Sequence, residues 1–289
     1  MSRPLYFFLI TLFLNIGTGN EPFFAAQTPQ QIPSGTPEVR GAWVARRLDE
    51  RDTGRDMRMT MRMRLFDRQG RSRERALTLL ALQGGPGRPV PGDRSLIRFT
   101  EPADIRGTAF LVWEHPEGPG GPGANDERFL YLPSLGRVRR IAASETQESF
   151  VGSDFTYEDI GGRQLDAYTY TLLDDSSMWT TPGGQAVPVY RLESRQKDRV
   201  ARFPRVVSLV RKDAFVVVHA EIHNRRDEIQ KTFDARRVEQ AQGHWTVMDM
   251  AMADQIQRTR TELTVEQVAY DVGLKTDDFS RRELERARP

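Results

Sequence analysis

The chain has 289 residues, 42 basic against 40 acidic, a net charge of +2 at neutral pH and no cysteine. That length can bury a sizeable core, and a charge so close to balance lacks the concentrated basic face of a nucleic-acid binder. The absence of cysteine excludes a disulfide framework and a lipid-modified N-terminal cysteine.

The opening "MSRPLYFFLITLFLNIGTG" places Arg3 before an apolar run from Leu5 to Ile16, interrupted by Thr11 and Asn15. The run is shorter than the roughly 20 apolar residues of a membrane span and suits a secretory signal. Small residues at 17–19 and at Ala25–Ala26 offer cleavage points, so residues 1–26 read as a signal peptide. Residues 27–36 form a Pro/Gln-rich linker and residues 37–289 one domain, exported to the periplasm. Thr36 caps a first helix, with Pro37 in its first turn and Glu38 at the positive end of its dipole. Val39, Trp43, Val44 and Leu48 share its apolar face, opposite Arg46, Arg47, Asp49 and Glu50.

From Asp56 the period changes to two. Met57, Met59, Met61, Met63 and Leu65 point one way and Arg58, Thr60, Arg62 and Arg64 the other, the pattern of a half-buried antiparallel strand. "DRQGR" turns the chain and "RALTLLAL" returns it. "SLIRFT", "GTAFLVWEH", "RFLYLP", "GRVRRIA", "LDAYTYTLL", "VPVYRLES", "RVVSLVRK", "AFVVVHAEIH", "QKTFDARRVEQ", "HWTVMDMAMA" and "RTELTVEQV" continue the series. A run of strands joined by short polar turns predicts an all-β meander. The capping-box spacing of Thr264 and Gln267 allows "TVEQVAYD" to be helical instead. Two Gly/Pro loops, "LQGGPGRPVPGD" and "HPEGPGGPGAND", cannot be sheet and are expected to be exposed and mobile. "KTDDFSRRELERA" predicts a closing helix opened by Thr276, with Asp277 and Asp278 in its first turn.

Chemistry is sparse. His219, Glu221 and His223 share a strand face, but the helical zinc motif His-Glu-x-x-His is absent and the polar "NRRDE" that follows marks an exposed hairpin. "GSD" at Gly152 lacks the second glycine of a nucleophile elbow, and the adjacent Glu158 and Asp159 would diverge on an extended chain. No catalytic residue, metal or cofactor is expected. The Met stripe of 57–63 is repeated at Met248, Met250 and Met252. Thioethers adapt to ligands of variable shape, so two Met-lined strands point to a soft apolar cavity, against the plainer reading as core under the first helix.

Three blocks, "SLIRFTEPADIRGTAFLVWEH", "ERFLYLPSLGRVRRIAASETQESFVGSDFTYEDI" and "DDFSRRELER", together resemble the LolA-like outer-membrane lipoprotein-sorting family, from about Asp49 to the C-terminus. The resemblance implies a mainly β fold: a strongly curved antiparallel sheet forming an incomplete β-barrel, lidded by short helices and loops. It implies a periplasmic, non-enzymatic carrier for the acyl chains of a lipid or lipoprotein. Its implied partners are a resistance-nodulation-division-type inner-membrane exporter or an outer-membrane acceptor, without nucleic acid. The alternative is an envelope sensor or adaptor that binds a membrane protein through the same fold. The long Gly/Pro insertion at 116–125 and the low aromatic content before Arg128 depart from the family pattern.

On this reading Met59 and Met61 line the cavity, together with one of Phe110 and Trp113 and one of Phe129 and Tyr131. In "FVGSDFTYEDI", Gly152 turns the chain, Asp154 caps a short helical turn, and Phe155 and Tyr157 drop onto the apolar mouth. Ser153, Asp154, Glu158 and Asp159 are placed at its rim.

Overall fold

A computed structural model describes residues 4–5, 31–115 and 126–286. The signal-peptide and linker assignments therefore lie largely outside the described residues, as does most of the second Gly/Pro loop. In chain order the elements are β1 (Pro4–Leu5), α1 (Pro37–Asp49), β2 (Asp56–Phe66), β3 (Ser72–Leu82), β4 (Arg94–Glu101), β5 (Ala109–Trp113), β6 (Glu127–Leu132) and β7 (Arg137–Arg140). There follow α2 (Tyr157–Gly161), β8 (Arg163–Gln164), β9 (Tyr168–Asp174), β10 (Met178–Thr180), β11 (Ala186–Gln196), β12 (Arg205–Arg211) and β13 (Val216–His223). The chain closes with β14 (Ile229–Ala241), β15 (His244–Asp254), β16 (Thr259–Tyr270) and α3 (Arg281–Glu285).

Among the described residues, one 14-stranded antiparallel sheet runs β10-β11-β12-β13-β14-β15-β16-β2-β3-β4-β5-β6-β7, with β9 also paired to β11. The two ends of this order do not pair. The sheet is neither closed nor strongly curled, and the expected curved, incomplete barrel is not what forms. The reason lies in how the apolar face is covered. It packs against α1 and the segment around α2, a second layer that removes the need for the sheet to close on itself.

The alternation in β2 sets the two faces. Met57, Met59, Met61, Met63 and Leu65 are buried, while Arg58 and Arg64 are exposed. The same apolar layer takes in Phe99, Phe110, Phe233, Met250, Met252, Leu263 and Val265. In α1 the buried face is Gly41, Val44, Ala45 and Leu48, and Val39 is exposed, so the helix is rotated from the expected face. Gly41 explains the rotation. A Cβ there would stand 2.7 Å from the backbone N of Leu172, so the helix can approach β9 this closely only with glycine at the contact.

Away from this layer there are two smaller apolar clusters, one of Val187, Val189 and Val218 on β11 and β13 and a larger one near β3–β6. There Leu82, Leu96, Leu111 and Phe129 are covered by Phe279 and Leu284 of the C-terminal segment. The Trp113 indole N–H donates to the Phe279 carbonyl at 2.7 Å, and the buried Arg98 guanidinium donates to the carbonyls of Glu283 and Leu284. That segment is not one helix opened by Thr276. Residues 276–279 form a 3-10 turn, and Ser280 caps the separate α3 through the N–H of Glu283. "TVEQVAYD" is extended within β16, where pairing to β2 overrides its capping-box spacing. The first Gly/Pro loop folds back on itself instead of standing free: Gly84 N–H donates to Asp93 at 2.7 Å, Gly85 N–H to Val90 O at 3.0 Å, and Val90 is buried.

Met61→Ala should lower unfolding free energy by about 2–5 kcal/mol, because a buried thioether leaves a cavity. Arg64→Ala, on the solvated face of the same strand, should change it by no more than about 0.5 kcal/mol. Urea denaturation of both variants checks the assignment of faces.

Candidate functional site

The segment from Gln147 to Gly161 crosses the apolar face as a strap. A Thr156 N-cap opens α2: its hydroxyl accepts from Asp159 N–H at 3.0 Å, while the Asp159 carboxylate accepts from Thr156 N–H at 2.9 Å. Thr156, not Asp154, is therefore the cap, because only it stands three residues before the reciprocating carboxylate. Before the helix the chain reverses at Val151 and Gly152, both left-handed with φ of 49° and 75°, and Ser153 N–H donates to Phe150 O at 3.0 Å. Glycine accepts this conformation freely. A β-branched valine does so under strain, which is held by packing and by Arg75 donating to the Val151 carbonyl at 2.8 Å.

The underside of the strap is aromatic. Phe150 stacks on Phe99 with ring centres 5.9 Å apart and meets Phe110 at 5.5 Å and Tyr157 at 5.6 Å. Phe155 is fully buried, and Met59 and Met61 lie in the same packed layer. Phe110 faces this layer and Trp113 the opposite side of the sheet. Phe129 and Tyr131 both lie on that opposite side, and Leu130 faces the strap. The two aromatics could not be alternatives, since residues two apart on a strand share a face.

The outer attachments of the strap are polar. The Asp154 carboxylate accepts from the hydroxyls of Thr259 and Thr261, the latter at 2.7 Å, and Asp154 N–H donates to Thr261 Oγ1 at 2.9 Å. The Lys231 ammonium donates to the Asp154 carbonyl. Of the residues placed at a rim, Asp154 is half-buried and Ser153, Glu158 and Asp159 are buried. Beneath α2, Glu158 accepts from the Tyr168 hydroxyl at 2.7 Å, and Asp159 pairs with Arg163 at 2.8 Å. Burial drives the Tyr168 hydroxyl well above its ordinary pKa. Burial pulls the other way on Arg163, yet Tyr168, Asp159 and Glu158 together hold its guanidinium above the usual value. Sequence reasoning missed Arg163, Tyr168 and Lys231. Lys231 lies on a strand remote from "FVGSDFTYEDI"; Arg163 and Tyr168 follow it closely, and the i,i+4 spacing of Asp159 and Arg163 was a local signal that could have found the pair.

A groove of about 610 Å³ opens where the strap meets the β2–β3 and β15–β16 turns, lined by Arg71, Arg73, Ser153, Asp154, Arg202 and Lys231 among others. Most of its lining residues are polar or charged, with the apolar Leu65 and Phe66 beside them, and the Met-lined face beneath the strap is filled by side chains. Among the described residues no three His, Asp or Glu side chains are grouped to hold a metal. His219 pairs with Asp234 at 2.8 Å, and His223 lies against Arg205 and the Asp227 carbonyl.

A family model described as that of an uncharacterized protein matches residues 91–286. No curated protein matches the chain. Among solved structures the chain is similar to a DUF1329 family protein from Desulfovibrio piger, with 30% identity, a TM-score of 0.75, and coverage of 86% of this chain and 100% of that one. It is similar to a domain from Vibrio parahaemolyticus, provisionally described as an outer membrane lipoprotein-sorting protein, with 29% identity, a TM-score of 0.73 and coverage of 86% and 99%. A LolA superfamily protein from Nitrosomonas europaea shares the fold alone, at 17% identity, a TM-score of 0.58 and coverage of 79% and 91%.

Thr261→Val removes both hydrogen bonds between this side chain and Asp154. It should cost about 1–3 kcal/mol and speed amide hydrogen exchange across residues 150–157 ahead of the strands. The hydrogen bond to Asp234 raises the His219 pKa above its ordinary 6.5. The pair's contribution to stability is therefore complete below about 6.5 and is lost as pH rises through the higher folded value. In an NMR titration, Asp234→Asn should move the His219 midpoint downward.

Proposed function

The chain belongs to the DUF1329 family and shares the LolA-superfamily fold, and on that premise we propose that it is a non-enzymatic periplasmic carrier of acyl chains. The observation that carries the reading is the two-sided strap. Its underside, Phe150, Phe155 and Tyr157, is buried on the methionine- and phenylalanine-lined face, while its outer edge is held by a few hydrogen bonds to Asp154. Lifting such a segment breaks polar contacts that water can replace and bares apolar surface on both strap and sheet, a cost that a bound acyl chain offsets.

In the closed state the strap's own aromatics occupy that surface. An acyl chain takes their place when the strap swings out, each CH₂ removed from water contributing about 0.8 kcal/mol. Net affinity is the difference between burying the chain and burying the strap, so cargo passes to any acceptor that binds it better or favours the closed state. Loading and unloading need no catalytic group. An inner-membrane exporter of the resistance-nodulation-division type and an outer-membrane acceptor are the corresponding donor and recipient. Lipoprotein sorting is said of the Vibrio domain; for this chain the proposal is acyl-chain carriage, with the cargo's identity to be read from what it retains.

One observation favours a second reading, docking of a membrane-protein partner. Among the described residues the outer edge of β7 has no strand beside it, and it carries the exposed Arg137, Arg139 and Arg140, so an acidic extended segment could add there. A stable complex with a membrane protein, formed by chain free of lipid, would favour docking over carriage.

Native mass spectrometry of the chain purified from periplasm should show retained lipid, and a fluorescent acyl probe should bind. Absence of both would falsify carriage. The chain has no cysteine, so the double variant Asp154→Cys/Thr261→Cys can form only one intramolecular disulfide. Once oxidised it should take up the acyl probe at least tenfold more slowly than after reduction. Equal uptake in both states would mean that the strap is not the gate.

A further inference from the structure

The groove outside the strap has more hydrogen-bond donors than acceptors. Its lining includes three carboxylates, Asp67, Asp154 and Asp254, against Arg71, Arg73, Arg202 and Lys231. The carboxylates are engaged. Asp67 accepts from Arg71 Nε at 2.7 Å and from the N–H groups of Gln69 and Arg71 at 2.9 and 3.0 Å. Asp154 is held by the hydroxyls of Thr259 and Thr261. Asp254 accepts from the N–H groups of Ile256 and Gln257 at 3.0 and 2.8 Å and from the Gln230 amide at 3.1 Å.

The donors are not used up in the same way. Lys231 is only 6% exposed, and its ammonium has one hydrogen bond, to the Asp154 carbonyl, with the Phe203 ring 5.0 Å away. An ammonium has three N–H donors, so two remain. Burial accordingly draws its pKa down. Arg73 is exposed and makes no side-chain hydrogen bond among the described residues, and Arg202 gives one terminal nitrogen to Glu148 at 3.2 Å. A ligand matching this lining is an acceptor of several hydrogen bonds that carries negative charge. Charge-assisted bonds from guanidinium and ammonium to oxyanions are roughly twice as strong as neutral ones.

We infer that this groove binds a phosphate-class oxyanion through Arg73, Arg202 and Lys231. The inference rests on the carrier reading in one respect only, that the anion is the head of an amphiphile whose chains lie beneath the strap.

The test titrates the full-length chain by calorimetry with three ligands: inorganic phosphate, dihexanoyl phosphatidylglycerol and dihexanoyl phosphatidylcholine. The expected result is binding of phosphate and at least tenfold preference for the phosphatidylglycerol. Lys231→Met should abolish that preference, and the exposed Arg73→Gln, which does not fasten the strap, should reduce it several-fold while acyl-probe binding persists, whatever the stability of the first variant. Phosphate binding without binding of either lipid or of the acyl probe would support the oxyanion site and refute carriage. Equal binding of the two lipids with no binding of phosphate, or unchanged preference in both variants, would overturn the site and leave carriage standing.

Discussion

Along β2, sulfur and hydrocarbon alternate with guanidinium and hydroxyl groups, so the strand can be solvated on one side only. Its neighbours β3 and β16 inherit the constraint through their register, which sets Met61 between Leu77 and Val265. On the wet side Arg62 meets Glu74 at 2.9 Å, a charge ladder that discourages anything apolar from stacking there. On the dry side α1 and the strap supply the second layer. Where the outer face turns apolar, near β4 and β5, the C-terminal segment returns to cover it, and the Arg98 guanidinium takes up backbone carbonyls at the end of α3. Each segment outside the sheet thus answers to a particular stretch of apolar surface.

The strap differs from the other two covers. α1 approaches β9 so closely that only glycine fits at the contact, and the C-terminal segment is fastened through a buried guanidinium and an indole. The strap turns through a strained Val151 and is fastened at its tip by hydroxyl groups and one ammonium. Stability is unevenly distributed over a fold, and segments that move are drawn from its weaker end. The ionic cluster under α2 fixes the other end, with Asp159 and Arg163 both buried, so motion of the strap would pivot at the start of α2, near Thr156, and leave the helix in place.

Much of the strand order was legible because period-two patterning survives in β2, β14, β15 and β16, where one face is wet. It was not legible in "AFLVW" and "FLYL", which are apolar on both sides because the strap covers one and the C-terminal segment the other. Open or closed curvature left no mark in the sequence, since it depends on what the apolar face packs against. The methionine stripes were visible, but whether they line a space or a filled core is settled by residues from the strap far along the chain. For the candidate site, the hydroxyl- and acid-rich stretch stood out, yet its roles were misassigned. Asp154 was visible as a polar residue and invisible as the partner of Thr259 and Thr261, because those contacts join residues 105 and 107 positions apart. Lys231 lies in a strand whose pattern gives no reason to expect a buried ammonium.

The pairing of β2 with β16 sets Met57 against Tyr270, joining the first long strand to the last at the centre of the sheet. Contacts between residues so distant in sequence are entropically costly to close and slow to form. A chain delivered from its N-terminus cannot complete this ladder until β16, Thr259–Tyr270, has arrived. Until then β2 shows a methionine edge with no neighbour on one side, a surface prone to pairing with other chains. The fold therefore makes the arrival of β16 the event that closes the open edge of β2.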